Sequence, residues 1–234
     1  MNNKYIAYIL LIMTTLFWSG NFILGKFSAL FQVPPFTLNF YRWLLVWIIL
    51  FPFTFSEIKN NLLFIKSNFS ILFVLGITSI SAFNSIVYYS LNFTQVINAV
   101  LMLSAIPILT LLISNFLKID QIKLLQVLGL CLSIFGVVIV ISKGNFEIIK
   151  NLYFNKGDLW MLMAALSWSI YSAFLKKIQL PFSQFSLIQV ISTIGLIFLL
   201  PQFFYEKVKF RISIQFATLS FCHMLFFCSY RCIL

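Results

Sequence analysis

The chain has 234 residues, of which 62% are apolar or aromatic and only 9% are charged. Soluble domains are about half apolar and about a quarter charged, so this composition excludes an ordinary soluble enzyme, a disordered protein and a nucleic-acid-binding module. The formal net charge is +11, but most lysines and arginines lie singly between long apolar runs, as expected of loops and helix ends that face lipid headgroups. We therefore predict a membrane protein whose immediate partner is the lipid bilayer.

Eight segments are apolar over about the 20 residues that a helix needs to cross a bilayer. Their predicted starts are Tyr5, Phe36, Ser70, Gln95, Leu124, Leu159, Phe185 and Ile212. The segments are continuously apolar and do not alternate with polar residues, which favours helices over the strands of a barrel. The first segment, Tyr5 to Leu24, is too long for a typical signal peptide, so we expect it to remain as a span. The predicted fold class is an all-α, polytopic transmembrane protein.

The second part of the sequence repeats the first at a spacing of about 150 residues. The informative matches are Trp18 with Trp168, Ser19 with Ser169, Lys26 with Lys176, Pro52 with Pro201, and Glu57 with Glu206. Because one repeat unit contains five spans, an odd number, its second copy must cross the membrane in the opposite direction. We predict an inverted repeat: a first five-helix unit over residues 5–142, a connecting loop over 143–158, and an incomplete second unit over 159–234.

Several short motifs occur in a characteristic order along the chain. They are Phe17-Trp-Ser-Gly-Asn-Phe22 with Gly25-Lys26, Pro34-Pro-Phe-Thr-Leu-Asn-Phe-Tyr-Arg42, Asn98-Ala99 with Pro107, the stretch from Gly129 to Gly136, and Gly157-Asp-Leu with Ala165-Leu-Ser-Trp-Ser169. This order resembles the EamA-type permeases of the drug/metabolite transporter superfamily, which consist of two five-helix repeats. Two features depart from the family pattern: Asp120 replaces a common Glu after the fourth span, and the pattern of the eighth to tenth spans is missing.

The resemblance implies a multi-pass carrier in the cell membrane, which is the inner membrane in a bacterium that has two. Such a carrier moves small organic metabolites, amino-acid-like or drug-like, by alternating access, in efflux or exchange. Lysines and arginines divide equally between the two sides of the predicted topology, so the positive-inside rule gives no orientation. The resemblance places the N-terminus in the cytoplasm.

Arg42 is the strongest candidate for a substrate-binding residue. A charge within a span is costly unless it has a partner. Arg42 either faces a central cavity and pairs with an anionic group on a substrate, or extends its long side chain back to the membrane interface. Its counterpart in the second repeat is Ile191, so the charge is not part of the shared scaffold, which favours the substrate role. Lys26, at the end of the first span, is better explained by the interface.

Trp18, Asn21, Asn98 and Trp168 complete the predicted substrate site. Indole rings can stack on an organic substrate, and an amide can orient it. The alternative for each polar side chain is a hydrogen bond between helices, which the sequence does not separate from a binding role.

No catalytic, metal or cofactor site is predicted, and the protein is not expected to be an enzyme. The five acidic residues lie at the ends of the predicted spans, so no buried pair is available for acid–base chemistry. His223 lies near Cys222 and Cys228, but their spacing does not match a zinc site. The chain also lacks a glycine-rich phosphate loop.

The second repeat is expected to be incomplete. By the repeat spacing, Leu234 corresponds to Asn84 in the middle of the third span. The tail from about residue 221 differs in composition from the matching part of the first repeat, because it contains three of the four cysteines and the only histidine. Two hypotheses follow. The first is a permease that exports or exchanges small organic metabolites, in which a homodimer partner or helices from a second chain could complete the second repeat. The second is a truncated remnant of such a permease that does not transport.

The predicted topology is testable by cysteine labelling. An even number of spans separates residues 59–68 from residues 118–123, so both connections should lie on the side of the N-terminus. Single cysteines placed in each, after replacement of the four native cysteines, should react together with an impermeant thiol reagent. Labelling of the two connections from opposite sides of the membrane would contradict this topology.

Overall fold

The fold is given by a computed structural model that describes residues 3–120, 122–142 and 155–209. All regular secondary structure in these ranges is helical. The elements are α1 (Asn3–Leu30), α2 (Pro35–Asn60), α3 (Leu62–Ser67), α4 (Phe69–Gly76), a π-helical segment (Ile77–Phe83), α5 (Asn84–Ser90), α6 (Val96–Leu103), α7 (Ile106–Phe116), α8 (Leu124–Ser142), α9 (Lys156–Lys177) and α10 (Gln184–Lys209).

Six helical stretches of the described chain are long and apolar enough to cross a membrane. They are Tyr8–Leu30, Pro35–Asn60, Phe69–Ser90, Val96–Phe116, Lys156–Lys177 and Gln184–Glu206. These stretches correspond to the first four, the sixth and the seventh predicted spans. The fifth predicted span is the 19-residue helix α8, and the eighth, from Ile212, lies outside the described residues. The prediction of an all-α, polytopic membrane protein is confirmed.

Local sequence determines where the spans begin and end. Helix α1 is followed by a left-handed turn at Gln32, whose φ is 56°. Helix α2 then begins with Pro35, whose fixed φ suits a first helical turn and whose missing N–H needs no partner there. Helix α9 begins with a capping box in which Asn155 and Asp158 each accept a hydrogen bond from the backbone of the other.

A glutamate near the C-terminus of α2 holds the N-terminus of α10. The carboxylate of Glu57 accepts hydrogen bonds from the backbone N–H of Ser183, at 2.8 Å, and from its hydroxyl, at 2.6 Å. It also accepts a hydrogen bond from the hydroxyl of Ser186 in the first turn of α10. The first N–H groups of a helix have no partner within the helix and attract negative charge, so Glu57 caps α10.

The reciprocal contact occurs at the other ends of the same two helices. Glu206, near the C-terminus of α10, accepts hydrogen bonds from the backbone N–H groups of Phe36, at 3.3 Å, and Thr37, at 2.8 Å. Both donors lie in the first turn of α2, so α2 and α10 run antiparallel and each carries the carboxylate that caps the other. Glu57 and Glu206 are matched positions of the sequence repeat, so the two reciprocal caps come from corresponding residues.

The main apolar core lies between α2, α10 and the third span. Across the antiparallel pair, the rings of Phe40 and Phe203 stack with their centroids 4.5 Å apart. The π-helical segment approaches α10 where a glycine leaves space: a Cβ built on Gly195 would lie 2.4 Å from the Cβ of Ile80. In lipid, helices associate mainly through van der Waals packing, and small residues strengthen this packing because they let two backbones approach closely.

Polar contacts identify which connections share an end of the bundle. Asp120, after α7, forms a salt bridge of 2.8 Å with Lys176 at the end of α9. Glu57 contacts Ser183 just before α10. Both contacts lie beside the short connection from α9 to α10, so the connections after α2 and after α7 meet at one end of the molecule.

At the opposite end, Lys26 stabilises the turn after α5. Its ammonium group donates hydrogen bonds to the carbonyl oxygens of Leu91 and Thr94, both at 2.8 Å. The hydroxyl of Thr94 donates to the carboxylate of Asp158 at 2.7 Å. Since a basic group satisfies carbonyls that follow a helix, this lysine acts in the fold at the end of its span.

The close approach at Gly195 predicts a stability difference between two glycines. Gly195→Ala should lower the free energy of unfolding by about 1–3 kcal/mol, because the added methyl group would overlap Ile80. Gly129→Ala on α8 is the matched control, since no described atom lies within 4 Å of its built Cβ. Thermal unfolding of both variants in detergent, followed by circular dichroism, measures the difference. Equal melting temperatures would contradict the packing described here.

Candidate substrate cavity

A cavity of about 330 Å³ lies between α1, α2, the π-helical segment, the first turns of α5 and α7, α6 and α9. Its lining residues are Trp18, Asn21, Phe22, Arg42, Trp43, Phe83, Asn84, Val100, Leu103, Ser104, Ile106 and Trp168. Most of them are apolar or aromatic, and a few polar groups lie among them. Small-molecule sites in proteins have this composition and begin at about this volume.

The structure brings four of the five predicted site residues to this cavity. Trp18 and Asn21 lie on α1, Arg42 on α2 and Trp168 on α9. Asn98 does not line the cavity and is only partly buried. Residues two apart lie on nearly opposite sides of a helix, and Val100 and Leu103 are the residues of α6 that face the cavity.

The two repeat-matched tryptophans meet in the cavity wall. Trp18 and Trp168 contact edge to face, with ring centroids 6.0 Å apart and an angle of 80°. Trp168 also contacts Phe83, at 4.6 Å between centroids. Edge-to-face contacts of this kind are favourable between aromatic rings. Matched positions of the two repeats therefore form one aromatic wall, on which a flat apolar group can stack.

Arg42 supplies the positive charge of the cavity. The residue is 8% exposed and lines the cavity. Its guanidinium carbon lies 5.5 Å from the centroid of the Tyr88 ring, within the range of a cation–π contact. The sequence left two positions open for Arg42, a central cavity and the membrane interface; in the structure the residue lies in the wall of the cavity.

Tyr88 connects Arg42 to Asn21. Its ring faces the guanidinium, and its hydroxyl donates a hydrogen bond of 2.7 Å to the amide oxygen of Asn21. Tyr88 is 2% exposed and Asn21 is 8% exposed, so this hydrogen bond is shielded from solvent. The three side chains come from α5, α2 and α1 and form one polar group in an apolar wall.

The π-helical segment forms another side of the cavity: its last residue, Phe83, and the first residue of α5, Asn84, are in the lining. Its carbonyl oxygens accept hydrogen bonds from side chains: Thr78 O from Ser167 Oγ at 2.8 Å, Ser79 O from Asn84 Nδ2 at 2.9 Å, and Ile80 O from Asn39 Nδ2 at 2.9 Å. Such segments are rare and often occur at functional sites. Here three hydrogen bonds hold the wider helical turn.

Asn39 ties this segment to the helix that carries Arg42. It is fully buried, and its amide nitrogen also donates to the hydroxyl of Ser85 at 2.8 Å. Neither Asn39 nor Tyr88 was among the predicted site residues. A polar amide inside an apolar span is a signal that could have identified Asn39, because it needs a partner in the membrane.

The carboxylates of the described residues all have structural contacts. Glu57 and Glu206 cap helices, Asp158 belongs to a capping box, and Asp120 pairs with Lys176. Among the described residues, no three or more His, Cys, Asp or Glu side chains form a group that could hold a metal ion. Glu147 and His223 lie outside the described residues.

The fold and the cavity together define a polytopic membrane protein with a solute-sized internal site. Residues 5–142 match the EamA-like transporter family, and the chain belongs to this family of membrane transporters.

Similar proteins are also transporters by name. The chain is 30% identical to the uncharacterized transporter YyaM of Bacillus subtilis (strain 168), over 70% of this chain and 53% of that protein. It is 30% identical to an uncharacterized transporter of Archaeoglobus fulgidus, over 86% of this chain and 67% of that protein. An uncharacterized transporter of Clostridium kluyveri is 27% identical, over 73% and 56%. The matched regions thus span between about half and two thirds of these relatives, and no solved structure matches.

The role of Asn39 predicts a loss of stability on its removal. Asn39→Ala should lower the free energy of unfolding by roughly 1–3 kcal/mol, because the buried carbonyl of Ile80 and the hydroxyl of Ser85 lose their donor. Asn98→Ala, which removes the same group from a partly exposed position outside the cavity, is the control. Melting temperatures in detergent compare the two. A larger loss in the Asn98 variant would contradict the role of Asn39.

Proposed function

We propose that the protein carries small organic solutes with an anionic group across the cell membrane by alternating access, in efflux or exchange. The observation that supports this most directly is Arg42, a buried cation in the wall of an aromatic cavity. We place the N-terminus in the cytoplasm.

The charge of the cavity favours an anionic substrate. A guanidinium stays protonated at every physiological pH and can bind a carboxylate or phosphate with two parallel hydrogen bonds. Among the described residues that line the cavity there is no acidic side chain, so Arg42 gives this part of the lining a positive formal charge. In a site of low dielectric constant, this charge attracts an anionic group more strongly than it would in water.

The shape of the cavity favours a solute with an apolar part. A volume of about 330 Å³ accommodates a molecule with one aromatic ring or a short aliphatic chain. The edge-to-face pair of Trp18 and Trp168, with Phe83 beside it, offers aromatic faces and edges. Amino-acid-like and small drug-like anions combine these features.

The antiparallel arrangement of α2 and α10 supports alternating access. Transporters built from inverted repeats bind their substrate between the two halves and expose it to each side in turn. The cavity lies where Trp18 and Trp168, matched residues of the two repeats, touch. Movement of one half against the other would therefore open this site to one side and close it to the other.

Transport and its dependence on Arg42 can be measured in liposomes that contain the 234-residue chain. With labelled 3-phenylpropanoate as the probe, flux above that of empty vesicles supports the permease and refutes the remnant; flux equal to that of empty vesicles supports the remnant and contradicts the proposed function. Arg42→Ala should abolish this flux, and Arg42→Lys should restore only part of it, because an ammonium group cannot form the paired hydrogen bonds of a guanidinium. Lys177→Ala, which removes an exposed charge at the end of α9, is the matched control and should transport normally. Full flux in the Arg42→Ala liposomes at equal protein content would refute the role of Arg42.

A further inference from the structure

We propose that Tyr88 determines the specificity of the cavity by fixing the amide of Asn21, so that Asn21 offers its N–H group and not its carbonyl oxygen to the substrate. This inference rests on the proposed function, because it takes the cavity as the binding site. Tyr88 is a positioning residue: it acts on the solute through Asn21.

The hydrogen bond between the two side chains defines the orientation of the amide. The Tyr88 hydroxyl donates to Asn21 Oδ1 at 2.7 Å. An asparagine side chain has one oxygen acceptor and one nitrogen that carries two hydrogens. With the oxygen engaged by Tyr88, the amide nitrogen of Asn21 is the polar atom left to face the cavity that this residue lines.

The same tyrosine also faces Arg42. Its ring centroid lies 5.5 Å from the guanidinium carbon, and the ring is buried. Tyr88 therefore contacts both polar groups of this wall, and both present N–H donors. An ionised carboxylate only accepts hydrogen bonds, so it fits two donors at once. A carboxamide of the same size has its own N–H group, which would meet a donor, so the site should select against it.

The other buried amide of the cavity has the opposite orientation. Asn84 donates from Nδ2 to the carbonyl oxygen of Ser79 at 2.9 Å, which leaves its own oxygen for the cavity. Asn21 therefore presents an N–H donor to the cavity, whereas Asn84 presents an oxygen acceptor. The N–H donors lie on the side of the cavity where Tyr88 contacts Asn21 and Arg42.

The experiment compares two probes of nearly equal size, 3-phenylpropanoate and 3-phenylpropanamide, with the full chain in detergent. Three tryptophans, Trp18, Trp43 and Trp168, line the cavity, so quenching of their fluorescence can report binding. The wild-type protein should bind the carboxylate more tightly than the amide. Tyr88→Phe keeps the ring over Arg42 and frees the Asn21 amide to rotate. The Tyr88→Phe substitution should weaken carboxylate binding by about tenfold, because one hydrogen bond to a charged group contributes about that much to affinity. It should change the affinity for the amide probe by less than about twofold.

Tyr89→Phe is the matched control, because this neighbouring ring contacts Phe93 and Trp160 and does not line the cavity. It should leave both affinities unchanged. Asn21→Asp gives a second, independent variant: with Tyr88 still bonded to one oxygen, the other oxygen would face the cavity as an acceptor. This variant should lose carboxylate binding and retain amide binding. Size-exclusion profiles and circular dichroism establish that each variant is folded.

The outcomes separate the two proposals. A wild-type protein that binds neither probe would contradict the proposed function and the inference with it. Binding that depends on Arg42, combined with an unchanged ratio of carboxylate to amide affinity in Tyr88→Phe, would leave the proposed function standing and overturn the inference. A proportional loss of both affinities would give Tyr88 a structural role only and would also overturn it.

Discussion

The rest of the described structure depends on one constraint: α2 and α10 each carry a glutamate that caps the N-terminus of the other helix. Backbone N–H groups at a helix start are costly to leave without partners in a membrane, and Glu57 and Glu206 satisfy them. Both caps form together only when the two helices are antiparallel and in one register. That register stacks Phe40 on Phe203 and fixes the depth at which Arg42 enters the cavity.

The π-helical segment depends in turn on this helix pair. Irregular backbone at membrane depth is tolerated where it is buried in protein and its polar groups are satisfied. Asn39 from α2 supplies one of the required donors and Ser167 from α9 another. The absence of a side chain at Gly195 lets α10 approach the segment closely. The wider turn then carries Phe83 and Asn84 into the cavity, so the shape of the site follows from the packing of α2, α9 and α10.

The sequence was sufficient for features that depend on composition or on single residues. Apolar length predicted the six spans found in the described residues, and the cost of a charge in lipid pointed to Arg42, which lines the cavity. The matched glutamates Glu57 and Glu206 lie at the ends of an antiparallel helix pair. Tyr88 and Asn39 were missed because their roles depend on partners that only the folded backbone brings together, Asn21 for one and Ile80 for the other. Asn98 lies outside the cavity lining because helix rotation, which a largely apolar span does not reveal, decides which side of α6 faces the cavity.

The two helix-capping glutamates and two of the cavity tryptophans are matched positions of the sequence repeat, whereas the polar groups of the cavity are not. Trp18 and Trp168 occupy matched positions and build one wall. Arg42 lines the cavity, whereas its counterpart Ile191 is fully buried, with its carbonyl oxygen 2.8 Å from a Cβ built on Gly76. In a perfectly symmetric inverted repeat, the states open to either side would have equal energies. A ligand shifts such an equilibrium only through different contacts in the two states. Polar groups contributed mainly by one half, Arg42 with Asn21 and Tyr88, therefore provide the means by which a bound anion can favour one state over the other in the proposed cycle.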